Sequence, residues 1–428
     1  MKTNKLLSIM LIIFLALSVI LSGCGTSNTK NNNTTTPNAS SNSINKETVL
    51  KVWAMGEEGK ILPQIVKKFE EQNPGIKVEV QAIPWDVAYD KLLTAVASQS
   101  GPDLTQLGTT WTTQFASSGA LLDLKPYFDK YPELKPENYY EGSVKTVEYN
   151  GQIVGVPWYV DTRVLFYRTD ILKEIGYDHA PKTWTELKDA ADKLAKRGKG
   201  KYGIAFAPND QLMVYMLTWQ AGGRLIDDNG NPQFNSPEFI KAVNYYKSFF
   251  TDGDAPLTAD QGLDLFTAFK EGIEPMFVSG PWMVSLINKQ LPDLKGKWAT
   301  AVLPADKTNT SFVGGCNLSI FKFSKNKDAA IKFIAFMSKP ENQIEWFNLS
   351  SDLPASKQAW NDSKLKDDPI LATFGEQLNN AQSTPLVKNW AAVEKATSEA
   401  LEKIIVGKQD VKSTLDKLNE DVKSILSK

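Results

Sequence analysis

Residues 48–80 read TVLKVWAMGEEGKILPQIVKKFEEQNPGIKVEV, and the fold class turns on them. Leu50, Val52 and their neighbours over 48–53 make a short apolar strand, and MGEEG at 55–59 makes a turn. Ile61, Leu62, Ile65, Val66 and Phe69 recur on one helical face. Pro63 falls in the first turn, where its missing N–H is tolerated, and NPG at 73–75 ends the helix. Ile76, Val78 and Val80 then alternate with Lys77 and Glu79 as a second strand. A strand, a helix and a strand within about 35 residues form a βαβ unit, whose right-handed crossover predicts a parallel sheet with helices on its faces.

The alternation continues downstream. The pattern predicts helices over 88–98, 112–119 and 184–196, the last opened by Thr183 with Glu186 three residues on, a capping box. Strands are predicted over 103–107, 153–157, 164–167 and 298–303. Helices follow over 238–251, after Pro281, over 327–337 and 341–348, and over 386–406 and 411–427. There is no internal repeat and no flexible linker after residue 48. Repeated parallel-sheet units over this length predict two α/β lobes, with a ligand site at the strand ends in the crevice between them.

Upstream of the βαβ unit, Lys2 and Lys5 precede an apolar run from Leu6 to Leu21 broken only by Ser8 and Ser18. Its sixteen residues fall short of the roughly 18 to 20 of a spanning helix and read as a secretory leader over 1–23. LSGC at 21–24 resembles the bacterial lipobox, in which the cysteine, here Cys24, is lipid-modified and becomes the mature N-terminus. Two or more acyl chains give stable attachment, so the body is expected on the outer face of the cytoplasmic membrane. Over 25–47, sixteen of twenty-three residues are Asn, Thr or Ser, which makes 24–47 a lipid-anchored disordered tether.

Composition narrows the chemistry. The 428 residues carry 48 Lys plus Arg against 49 Asp plus Glu, a formal charge of −1, with no basic excess for a nucleic acid. His179 is the one histidine, and Cys24 and Cys316 are the only cysteines. Multi-histidine or four-cysteine metal sites and a disulfide framework are excluded, and neither a metal nor a cofactor is expected. Cys316 reads as a small buried residue.

Ten motifs in order along the chain resemble one family, the extracellular sugar-binding proteins of ABC importers (solute-binding family 1, maltose-binding-protein-like). They are LKVW (50–53), KKFEE (67–71), GPDL (101–104), GALLDL (119–124), GVPWYVDTR (155–163), LFYR (165–168), PKTWTEL (181–187), WQAGG (219–223), FVSGPW (277–282) and GGCN (314–317). The resemblance covers residues 48 to about 407. It implies a two-lobed periplasmic-binding-protein-like fold (type II) with an interlobe ligand cleft and a hinge. The lobes would comprise 48–158 plus about 304–349, and 159–303 plus about 350–428. It also implies a binding protein rather than an enzyme, acting as a monomer that passes an oligosaccharide to ABC permease subunits. The chain holds no P-loop, so the cytoplasmic ATPase is another polypeptide.

A sugar offers a C–H-rich face and a rim of hydroxyls, so a cleft needs aromatic surface together with carboxylates and amides. Trp53 ends the first strand and Glu57 follows it, as a ligand contact or as a capping acid on a helix dipole. Thr110 and Trp111 lie where the family places polar sugar contacts, with Thr-Thr-Trp replacing charged groups. Tyr159 and Asp161 flank the expected first crossing, and Asp161 matches a sugar-contacting acid of the family or pairs with Arg163. Trp282, after Gly280 and Pro281, matches a family stacking position. Trp219, beside Gly222 and Gly223, and Trp390 fit either a stacking ring or a core ring, and Trp85 is a loop aromatic. Gly314 and Gly315 would let backbone approach a ligand, with Asn317 offering an amide. Trp158, Trp184, Trp298, Trp346 and Trp360 are assigned to packing. Two other functions stay open: a surface glycoside hydrolase drawing on Glu57, Asp161 or Asp352, and a same-fold receptor for a non-sugar solute such as a polyamine.

Overall fold

In β1 (Thr48–Met55), Leu50, Val52 and Ala54 are fully buried while Lys51 is exposed, the alternation of a strand with one face on a core. The structure is a computed structural model and describes residues 47–257, 264–387 and 389–427. The leader, the anchor Cys24 and all of the tether but Glu47 lie outside the described residues. The helix Pro63–Gln72 buries Ile65, Val66 and Phe69, and the Phe69 ring meets Phe333 and Phe336 edge-on at 5.1 and 5.4 Å. It leads into β2 (Ile76–Ile83), which pairs parallel with β1 from Thr48↔Ile76 to Met55↔Ile83. The helix Trp85–Ser98 follows, and β3 (Leu104–Gly108) adds in parallel on the other side of β1. The βαβ unit is therefore present as read.

The remaining strands are β4 (Glu148–Tyr149), β5 (Gln152–Ile153), β6 (Val156–Thr162), β7 (Val164–Arg168), β8 (Met276–Ser279), β9 (Trp298–Ala301), β10 (Ser311–Ile320), β11 (Leu353–Pro354) and β12 (Ala381–Gln382). A large sheet has the order β11-β6-β10-β3-β1-β2, with β12 alongside β10, and a small sheet has the order β8-β7-β9. The expectation of parallel sheets in both lobes holds for β2-β1-β3 and for the short β10-β12 pair, all in the large sheet. β10 runs antiparallel to both β3 and β6, and β7 runs antiparallel to both β8 and β9. β8 and β9 do run in the same direction, but β7 lies between them; strand and helix periodicity records direction changes and not neighbours.

β6 belongs to the large sheet and β7 to the small one, so the chain crosses at Arg163, the one residue between them, and not after residue 158. It returns between β9 and β10. β11 and β12 stay with the large sheet although they fall within 350–428. The helices Trp390–Ile405 and Val411–Leu426 pack instead in a second core with Trp184, Trp219 and Tyr246. The helix Trp184–Ala195 starts as expected, with the Glu186 N–H donating to Thr183 Oγ1 at 3.1 Å. The Glu186 carboxylate takes the N–H of Lys182 rather than that of Thr183.

One carboxylate holds the lower end of the large sheet. Asp103, buried just before β3, accepts from the Lys51 N–H (2.9 Å), the Ser324 hydroxyl (2.6 Å) and the Asn326 amide (3.1 Å), which joins β1, β3 and the segment after β10. Asp103→Ala strands these donors and should lower stability by about 3 kcal/mol in urea unfolding; a loss below about 1 kcal/mol would mean that water replaces the carboxylate.

Candidate functional site

β1, β2 and β3 run parallel, so their C-terminal ends lie together, and the residues that follow them line one cavity of about 650 Å³. Glu58 comes after β1, Trp85 after β2, and Thr109 and Thr110 after β3. β6 contributes Tyr159 and Asp161, and β10 contributes Gly315 and Cys316. Asp352 enters from just before β11, and Trp282 from the start of the helix Trp282–Gln290 that follows β8 of the small sheet. The volume falls within the roughly 300–1,000 Å³ of small-molecule sites.

A buried polar chain forms the floor. Gln106 Oε1 accepts from the Met55 N–H at 2.7 Å, and Gln106 Nε2 donates to the Tyr159 hydroxyl at 3.1 Å. The Tyr159 hydroxyl donates to Glu58 Oε1 at 2.8 Å and lies 3.1 Å from Cys316 Sγ. Burial pushes the Tyr159 phenol well above its ordinary value and the Cys316 thiol up to about 12, so both stay neutral at physiological pH. Asp352 is pushed up to about 7, chiefly by burial and then by the Glu58 charge, although the Trp346 indole N–H donates to it at 3.1 Å. Asp161 is paired with Arg163 at 2.8 Å. Glu58 and Asp352 have no ion-pair partner among the described residues.

Two large rings stand open to solvent at this cavity, Trp85 at 38 % and Trp282 at 45 % exposure. The Trp85 ring rests edge-on against Trp111 at 5.4 Å, and Trp111 rests on Tyr89 at 5.3 Å. An indole with one side braced and the other in water is a surface waiting for an apolar face.

The family model described as bacterial extracellular solute-binding protein matches residues 53–344. The chain belongs to this family. The sugar-binding protein MalE of Xanthomonas citri has a structure that superposes with a TM-score of 0.85 at 35 % identity, covering 89 % of this chain and 98 % of that one. The galactooligosaccharide-binding protein of Bacillus subtilis (strain 168) is 25 % identical over 428 residues, 95 % of this chain and 94 % of the relative. The structure of maltose-bound MalE3 of T. maritima superposes at a TM-score of 0.72 with 27 % identity, covering 89 % of this chain and all of that one.

In this solute-binding protein the cavity gathers Trp85, Thr110, Tyr159, Asp161, Trp282 and Gly315 of the residues singled out from sequence. The others lie elsewhere, each for a local reason. Trp53 sits within β1 and packs on the core of Met55, Ile83 and Phe115. Glu57 turns outward to Lys60 at 2.8 Å, and its neighbour Glu58 is the acid that reaches the floor. Trp111 braces Trp85 from within the helix Thr109–Ser117, which begins earlier than expected. Trp219 and Trp390 are each 5 % exposed in the second core, with the Trp390 N–H donating to Glu394 at 3.0 Å. Gly222 makes a turn beside Lys307. Gly314 adjoins the Phe312 ring. Asn317 is buried and donates to the Thr112 and Thr146 hydroxyls, so its amide is used inside the protein.

Gly315 lines the cavity, but its missing side chain serves the sheet. At φ +114° a Cβ there would lie 2.2 Å from the Tyr159 carbonyl, just before β10 slips register against β6 between Cys316 and Asn317. Trp158, Trp184, Trp298 and Trp346 are buried, and Trp360 packs against the first core, as their assignment to packing requires. Sequence reasoning missed Glu58 by one position. It named Asp352 only as a spare carboxylate, because Ser-Ser-Asp after a helix carries no motif.

The raised carboxyl of Asp352 has a measurable consequence. The folded protein keeps a proton that the unfolded chain releases near 3.8, so the stability from this group is present at low pH and falls as pH rises from about 4 to about 7. The decline is at most about 1.4 kcal/mol per pH unit. Asp352→Asn should remove it, so the variant gains on wild type across that window in urea unfolding; a difference flat with pH would give Asp352 an ordinary carboxyl.

Proposed function

We propose that this chain is the receptor of an ABC importer, which captures a neutral oligosaccharide in the cavity between its two sheets and hands it intact to membrane permease subunits. The observation that carries this reading is the placement of two solvent-exposed indoles, Trp85 after the large sheet and Trp282 after the small sheet, at one cavity with a carboxylate and hydroxyl floor. Aromatic faces take the C–H surface of sugar rings, and Glu58, Asp161 and Thr110 accept from the hydroxyl rim. A ligand that touches both sides favours the closed arrangement by its higher affinity for it. The family is one of binding proteins, and the descriptions of its relatives, sugar-binding in Xanthomonas citri and galactooligosaccharide-binding in Bacillus subtilis, support the same class here.

In this reading Cys24 carries the lipid after cleavage at the LSGC motif, and the Asn/Thr/Ser-rich tether holds a monomeric body at the outer face of the membrane. The ATPase is a separate polypeptide, and binding needs neither metal nor cofactor. The acids Glu58, Asp161 and Asp352 beside the indoles favour a second reading, a polyamine receptor. The Arg163 pairing of Asp161 weakens it by neutralising one of the three.

The deciding experiment is calorimetric titration of the folded body with gluco-, xylo-, manno-, malto- and galacto-oligosaccharides and with spermidine, followed by chromatography of the ligand. One-to-one binding of an intact sugar is expected. Spermidine binding alone would move the assignment to the polyamine reading, and shortened sugar would make the protein a hydrolase. Trp85→Ala and Trp282→Ala should each weaken sugar binding by roughly 1–3 kcal/mol, by analogy with bases stacked on aromatic side chains. An unchanged affinity in either variant removes that ring from the site.

A further inference from the structure

Arg163 is the single residue between β6 of the large sheet and β7 of the small one. Its side chain, 17 % exposed, makes three contacts there. Nη1 donates to Asp161 Oδ1 at 2.8 Å, and the guanidinium carbon lies 4.6 Å over the Trp282 ring and 5.5 Å over the Phe312 ring. Phe312 and Asp161 stand on β10 and β6 of the large sheet, whereas Trp282 follows β8 of the small sheet. One planar cation thus joins ring surfaces from both sheets at the point where the chain crosses.

The surrounding sequence makes room for this stack. A Cβ at Gly280 would lie 2.1 Å from the Trp282 ring, and one at Gly314 would lie 2.6 Å from the Phe312 ring and 3.1 Å from Asp161 Oδ1. Each outer ring therefore fills space that any other residue would take. Asp161 takes a guanidinium N–H, and a carboxylate held at the edge of the group leaves its faces free for aromatic contact. An indole with 45 % exposure would otherwise exchange rotamers freely.

We propose that Arg163 is a positioning residue, which holds the Trp282 indole in its ligand-ready orientation and ties that orientation to the crossing between the sheets. The ligand part of this inference rests on Trp282 being a sugar contact; the positioning part does not. One face of the ring is covered by the cation, and the ligand stacks on the other.

The test first reads Trp282 without ligand. In protein labelled with 15N-tryptophan, the Trp282 indole resonance is identified by its loss in Trp282→Phe. In Arg163→Met, which keeps an unbranched stem and removes the guanidinium, that resonance should shift or broaden while those of buried Trp158 and Trp346 stay in place. Arg163→Lys should behave like Arg163→Met, because an ammonium keeps the charge without the flat face. An unmoved Trp282 resonance in Arg163→Met overturns the proposal. If Arg163→Met does not fold, Phe312→Leu decides in the same way, since the guanidinium lies over both rings and no direct contact between those two rings is found among the described residues. With a sugar from the titration panel, Arg163→Met should weaken binding about two- to fivefold, and by clearly less in Trp282→Ala, where only the unpairing of Asp161 remains. Additive losses would overturn the coupling. If no sugar binds, the oligosaccharide reading fails while the resonance still decides the role of Arg163.

Discussion

The insertion of β10 between β3 and β6 is the constraint on which the rest of the structure depends. The chain builds β1 to β3, crosses to the small sheet at Arg163, and returns more than a hundred residues later to place β10 in the middle of the large sheet. Until it does, β3 and β6 have unpaired edges, whose free backbone groups cannot be buried without cost. Closing that gap fixes both crossings and brings Cys316 and Gly315 beside Tyr159. At Gly315 only a residue without a Cβ lets the two backbones approach that closely, and the register slips just beyond it, between Cys316 and Asn317.

The site follows from the same pairing. Three parallel strands end together, and each delivers one kind of group: an acid after β1, an indole after β2, hydroxyls after β3. β6 adds a phenol and a carboxylate just before the first crossing, and after the return β10 and the segment before β11 complete the floor with a thiol and a further carboxylate. The Gln106–Tyr159–Glu58 chain is hydrogen-bonded from end to end, so those side chains are held in one geometry before any ligand arrives. Pre-ordering of this kind lowers the entropy that binding must overcome. Asp352 is the exception, since burial and the Glu58 charge oppose its ionisation and no cation among the described residues pairs with it.

The aromatic residues divide by packing and not by type. Trp219 and Trp282 both lie beside glycines at helix ends, yet one is sealed in a core of Tyr246 and Trp184 and the other stands in the cavity. The difference arises from what each helix leans on. The helix Gln211–Gln220 is buried on every side, whereas the helix Trp282–Gln290 presents its first turn to the space between the sheets.

What the sequence determined by itself is the set of local elements. The βαβ unit at 48–80, the capped helix at Thr183, the terminal amphipathic helices and the family motifs are each written within a few turns of chain, where periodicity and turn chemistry act. It also named six of the residues that line the cavity, because aromatic, acidic and glycine residues at strand ends are recognisable there. The tertiary structure alone decided which strands are neighbours, that the small sheet is antiparallel, and that Glu58 rather than Glu57 faces inward. It also decided that Trp390 and Asn317 are spent on the interior, and that Asp352 holds a proton near neutrality. Those outcomes depend on partners that lie far along the chain, and burial, pairing and the sum of nearby charges exist only once distant segments have been brought together.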